Sequence, residues 1–112
     1  MDRLTFSKLR KINDARHQES CGGGTEATWN LTDWTNALCG EAGELANFAK
    51  KVRRARPTDP SLEDAKQDLA HELADIVIYA DLIAIKLGVD LGKAVREKFN
   101  IVSDRVGSEL KL

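Results

Sequence analysis

Net charge, cysteine, proline and aromatic side chains are all scarce in this 112-residue chain, and each scarcity excludes a class of protein. The 17 Lys and Arg face 18 Asp and Glu for a net charge of -1. A general nucleic-acid binder carries a basic excess, so no stable nucleic-acid binding is expected and any cationic function is local. Cys21 and Cys39 have no CxxC or paired metal spacing and make no disulfide framework. They read as reduced thiols of a cytoplasmic protein. The longest apolar stretch, the fifteen residues from Leu73 to Leu87, contains Asp75, Asp81 and Lys86. It is too short and too charged to span a bilayer, so no membrane partner is expected. Charges scattered through the first fourteen residues leave no apolar signal segment. The length suits a single domain over 1–112, able to bury one core without staples.

What is present is helical periodicity, punctuated at Gly22 to Gly24, at Pro57 to Pro60 and near Gly88. The first segment, about Thr5 to Glu19, carries Leu9, Ile12 and Arg16 on one side and has the weakest apolar stripe. A second helix is expected from an N-cap at Thr32 to about Arg54, with Trp34, Leu38, Leu45, Phe48 and Val52 as its stripe. The one missing step in that series falls on Glu41. Gly40 and Gly43 flank it, and a mid-helix glycine costs about 1 kcal/mol, which predicts a close backbone approach there. Ser61 and Asp64 suggest a capped third helix running to Leu87 and stopping at a left-handed Gly88. Its stripe of Leu62, Ala65, Leu69, Ile76, Ile83 and Leu87 is interrupted by Glu72. From Leu73 onward it is apolar nearly all round, as in a central helix or one buried between subunits. Asp90 caps a fourth helix, Leu91 to about Val106. Nothing alternates with period two, so the fold class is all-α.

Glu41 and Glu44 share one helix face, and Glu72 and Asp75 share another. Antiparallel packing of the two stripes brings the four groups together at mid-bundle. Carboxylates crowded in an interior survive only if paired, protonated or neutralised. An all-oxygen set without histidine or cysteine favours Mg²⁺ or Mn²⁺ over zinc. The competing reading places these acids on solvated faces in ordinary i to i+4 pairs. Two copies at matching depth, each replacing a stripe residue, argue against it.

Lys50, Lys51, Arg53, Arg54 and Arg56 place five cations in seven residues at the end of the second helix. They offset the helix dipole and also suit the phosphates of a polyphosphate. Lys98, Asn100 and Arg105 offer further donors on the last helix, unless that face is merely solvated. Trp34 lies on the apolar stripe and is expected in the core. Trp29 stands in a loop beside Asn30, where its ring could stack on a base. His17 is expected at the surface, and His71 should point away from the carboxylates.

These residues resemble the MazG-like, all-α nucleoside triphosphate pyrophosphohydrolases, whose hallmark is ExxE, a spacer, then ExxD. Here it stands as Glu41-Ala-Gly-Glu44 and Glu72-Leu-Ala-Asp75 with 27 residues between. The flanks LCGEAGELANFAKKVRR, HELADIVIYADLIA and KFNIVSDRVGSEL are similar too, so the resemblance covers about Trp29 to Leu110. It implies a four-helix, bundle-like, oligomeric module that hydrolyses a (deoxy)nucleoside triphosphate between its α and β phosphates. Glu41, Glu44, Glu72 and Asp75 would hold Mg²⁺, and one of them would orient or deprotonate the water. Lys51, Arg54, Lys98 and Arg105 would meet phosphates, and the chain would form a homodimer or a homotetramer. The rivals are a noncatalytic helical interaction module and a ferritin-like di-metal carboxylate protein. The latter wants Glu-x-x-His, whereas Glu44 and Asp75 stand at those positions.

Overall fold

The computed structural model describes residues 2–20 and 29–112. Cys21 and the Gly22 to Gly24 cluster lie outside them. The described residues form four helices and no strand: α1 Phe6–Ser20, α2 Leu31–Arg54, α3 Leu62–Leu87 and α4 Leu91–Arg105. All four agree with the periodicity to within a residue or two.

Local chemistry sets the ends. The α2 cap is Asn30 rather than Thr32, because Asn30 has the acid three residues on that completes a reciprocal box. The Asp33 N–H donates to Asn30 Oδ1 at 3.1 Å, and the Asn30 N–H donates to Asp33 Oδ2 at 3.0 Å. Ser61 stands at the N-cap of α3 but makes no side-chain cap. Its hydroxyl and its N–H both donate to Asp59 Oδ1 instead, at 2.7 and 2.9 Å. Gly88 closes α3 at φ 67°, which a side chain with a Cβ rarely adopts. Asp90 accepts the Lys93 N–H at 3.0 Å and starts α4.

The long helices α2 and α3 form a hairpin that is the main contact of the chain, with α1 laid against α3. Helix α4 reaches only α1 and α3, so among the described residues the four helices do not close around one core. Gly92 lets α1 and α4 meet, since a Cβ there would stand 3.1 Å from Phe6 Cβ. By contrast, nothing in the described chain lies within 4 Å of a Cβ placed on Gly40 or Gly43. The close approach expected at these two glycines is not made within the chain.

Among the described residues Trp34 is the largest fully buried side chain, as its stripe position implies, and Ala84 is the other buried apolar residue. The remaining buried groups are polar: Asn13, Asp81 and Ser103. Large apolar side chains stay open to solvent on α3 (Leu73, Val77, Leu87) and on α4 (Val95, Phe99, Val102). No helix among the described residues is long and apolar enough to cross a membrane.

Candidate functional site: a carboxylate cluster and the hollow beside it

Glu41 and Asp75 are equidistant from the α2–α3 link, as are Glu44 and Glu72, so a hairpin sets the two pairs level. One carboxylate oxygen each from Glu41, Glu72 and Asp75 lies within 4.8 Å of the others, and all three residues are half-buried. Glu44 is exposed and outside this trio, although its charge still reaches Glu72. Glu72 Oε2 is buried and meets no hydrogen-bond donor. The Glu72 carboxyl is pushed up to about 7, chiefly by a hydrogen bond shared with the Glu41 carboxyl. Desolvation comes next, followed by the negative charges of Glu44 and Glu41. Oxygen ligands this close, one of them orphaned, fit a hard divalent cation such as Mg²⁺ or Mn²⁺.

A hollow of about 300 Å³ opens at Asp75. Helix α3 lines it with Asp75, Ile78, Tyr79 and Leu82, at the i, i+3, i+4 and i+7 spacing of one helix face. Helix α1 supplies Asn13, Arg16, His17 and Ser20 by the same geometry, and Trp34 joins them from α2. Trp34 sits at the centre of a ring cluster. The His17, Trp29 and Tyr79 rings lie 5.0, 4.7 and 6.2 Å from it, the first two edge-on. Lys86 Nζ stands 5.6 Å from the same indole. Trp29 therefore packs on the cluster, half-buried, and His17 lines the hollow rather than the open surface. His71 is exposed and hydrogen-bonded to Gln67.

No family model matches this sequence, and no solved structure matches it. Over 83 residues it is 32% identical to the Gene 37 protein of Mycobacterium phage L5, spanning 74% of this chain and 72% of that protein. The chain belongs to the Gene 37 protein family. That name states no activity, so the chemistry of this Gene 37 family member rests on its geometry.

The basic residues read from the sequence are not gathered at the carboxylates. Lys51 and Arg54 line a separate hollow of about 460 Å³ together with Asp59, Asp64 and Asp68. Lys51 Nζ lies 4.6 Å from the centre of the Phe48 ring. Lys98 and Arg105 are exposed on α4. Asn100 ties down the chain end, accepting the Leu112 N–H at 2.9 Å and donating to the Leu112 carbonyl at 3.3 Å. Arg16 shares the hollow of Asp75. The sequence reading gave no functional role to Asn13, Arg16 or Tyr79. The available signal was a run of polar residues at helical spacing on α1, and an aromatic residue one turn beyond Asp75.

Proposed function

We propose that this chain is a metal-dependent nucleoside triphosphate pyrophosphohydrolase, cleaving (deoxy)nucleoside triphosphates to a monophosphate and pyrophosphate. The observation that carries this reading is the Glu41, Glu72 and Asp75 cluster, with a buried oxygen that finds no donor, set directly against a hollow lined by aromatic rings. Clustered acids without partners are costly, and a protein with no use for them would gain stability by losing them. A Mg²⁺ or Mn²⁺ ion held by Glu41, Glu72 and Asp75, with Glu44 close by, supplies charge neutralisation at the phosphates. A carboxylate of the same set orients the attacking water and accepts its proton as the bond to the pyrophosphate oxygen breaks. The rings of His17 and Tyr79, backed by the buried Trp34, offer flat surface for a base, and Arg16 offers a donor to phosphate. Lys51, Arg54, Lys98 and Arg105 complete the phosphate contacts only if a second copy brings them near.

We further propose a homodimer or a dimer of dimers in the cytoplasm. Its support is the open apolar surface of α3 and α4, and a radius of gyration of 17.1 Å. A compact domain of this length has about 13 Å. The deciding experiment incubates the protein and Glu41→Gln with a panel of triphosphates and Mg²⁺, separating monophosphate plus pyrophosphate from diphosphate plus phosphate. Monophosphate and pyrophosphate that vanish in the variant are expected. No turnover with either metal ion, or release of single phosphate, refutes the assignment and returns the chain to the class of helical interaction modules.

A further inference from the structure

We infer that a second copy of this chain docks on the face of the α2–α3 hairpin turned away from α1, with Leu73 and Val77 of each copy seated over Gly43 of the other. The inference rests on the homodimer proposed above and deepens it, by naming the surface and what that surface leaves open.

Helix α2 carries Cys39, Ala42, Gly43 and Ala46 at the i, i+3, i+4 and i+7 spacing of one helix face, and all four are exposed. Helix α3 carries Ala70, Leu73, Ala74 and Val77 at the same spacing, again all exposed. Gly43 stands level with Leu73, and Cys39 with Val77, by the register that sets Glu41 level with Asp75. In an antiparallel pair at that register the two faces turn to the same side. It is the side away from the hollow, because the residues that α3 gives to the hollow, Asp75, Ile78, Tyr79 and Leu82, point round the other way. Helix α1 packs against α3 on the hollow's side, and α4 does not reach α2. The opposite face therefore has no cover among the described residues.

Composition marks this face as an interface, and its shape selects the partner. None of its residues is charged, in a chain that is 31% charged. On α3 the face has a ridge of Leu73 and Val77, which are 54% and 45% exposed. On α2 it has nothing larger than cysteine, so a trough runs beside the ridge. A two-fold axis exchanges the two helices, and each copy's ridge then enters the other's trough. A Cβ on Gly43 would meet nothing within 4 Å in the described chain. The close approach that a mid-helix glycine permits is thus made between copies.

The exposed area agrees. The chain presents 8516 Å² to solvent, against about 6,100 Å² for a compact protein of 12.4 kDa. The surplus exceeds the roughly 800 Å² that each partner gives to a stable interface. The hollow beside Asp75, on the other side of each hairpin, stays open in such a dimer.

The test is sedimentation equilibrium of the full chain, with Ala46→Arg and Gly43→Leu beside the wild type. The wild type should sediment as a dimer. Ala46→Arg sets an unpaired charge in the contact and should raise the dissociation constant about a hundredfold, and Gly43→Leu, which fills the trough, should raise it too. Both positions are exposed and both new residues are good helix formers, so each subunit should keep its helical circular dichroism. Cys39 reports on the same face: its alkylation, followed on its own peptide, should slow as wild-type concentration rises and should not slow in Ala46→Arg. A dimer that survives both substitutions, or a Cys39 whose reactivity ignores concentration, overturns the choice of face and leaves the homodimer standing. A wild type that stays monomeric at every concentration overturns both. Neither outcome bears on the hydrolysis, which product analysis decides.

Discussion

Two acids on α3, Glu72 and Asp81, stand nine residues apart and meet opposite treatment. Asp81 is the more deeply buried, yet the chain gives it a donor in the Asn13 amide at 2.9 Å. Glu72 is only half-buried, its Oε2 meets no donor, and the hydrogen bond it does share is with another acid, Glu41, beside Glu44 and Asp75. Burial therefore does not distinguish an acid that is matched within the chain from one that is not. The partner does. An acid with an amide donor is held in place, whereas an acid among acids keeps its charge unmatched.

The sharpest break of this comparison is substitution at each acid, because the two should move stability in opposite directions. Asp81→Leu leaves one Asn13 N–H without its acceptor and should cost about 2 kcal/mol in denaturant unfolding. Glu72→Gln keeps the shape and removes a charge from a repelling group, so the metal-free protein should unfold at higher temperature at pH 8. The same variant should bind Mg²⁺ more weakly. If both substitutions destabilise without metal, Glu72 is as structural as Asp81 and the distinction fails.

Titration gives a smaller and more specific effect. The Glu72 carboxyl lies at about 7 in the fold against an ordinary 4.5, so the folded state binds its proton more tightly than the unfolded chain. Its stabilising contribution is complete below about 4.5 and is lost as pH rises through about 7. Metal-free protein should therefore lose stability between these values, while Mg²⁺ affinity climbs over the same window as the ion displaces the proton. Thermal scans at pH 5 and pH 8, with and without Mg²⁺, read both trends. A metal-free stability that is flat in this range, or rises, contradicts the crowding of Glu72.

Why one of these acids was legible in the sequence and the other was not follows from what periodicity records. Glu41 and Glu72 each break an apolar stripe, and a break in a stripe is visible along a single helix. The ends at Gly88 and Asp90 were legible for the same reason, since both act on their own neighbours, whereas the Asn30 cap of α2 was read as Thr32 and Ser61 makes no side-chain cap. Asp81 looked like a charge interrupting an apolar run. Its meaning lies in Asn13, on another helix and 68 residues away. On α1 the apolar residues misled, because Ile12 is 57% exposed while Asn13 beside it is buried. No one-dimensional pattern marks two polar groups that satisfy each other across a core. The open glycines are a further case: Gly40 and Gly43 promised a close approach that this chain does not make.

Those glycines give the finest test, at the edge of the carboxylate cluster. A Cβ on Gly40 would touch nothing in the described chain, so Gly40→Ala in an isolated subunit should gain close to 1 kcal/mol from helix propensity. If a second copy packs its backbone across this face, the same methyl group stands in the interface. The substitution should then raise the dissociation constant of the assembly, and a subunit that gains stability on its own would lose it as an oligomer. Unfolding measured across a hundredfold range of protein concentration separates these outcomes, because only the assembled form depends on concentration. A concentration-independent gain leaves this face without a second copy. A concentration-dependent loss would set the second copy beside Glu41 and supply the neighbour that the Glu41, Glu72 and Asp75 cluster lacks within one chain.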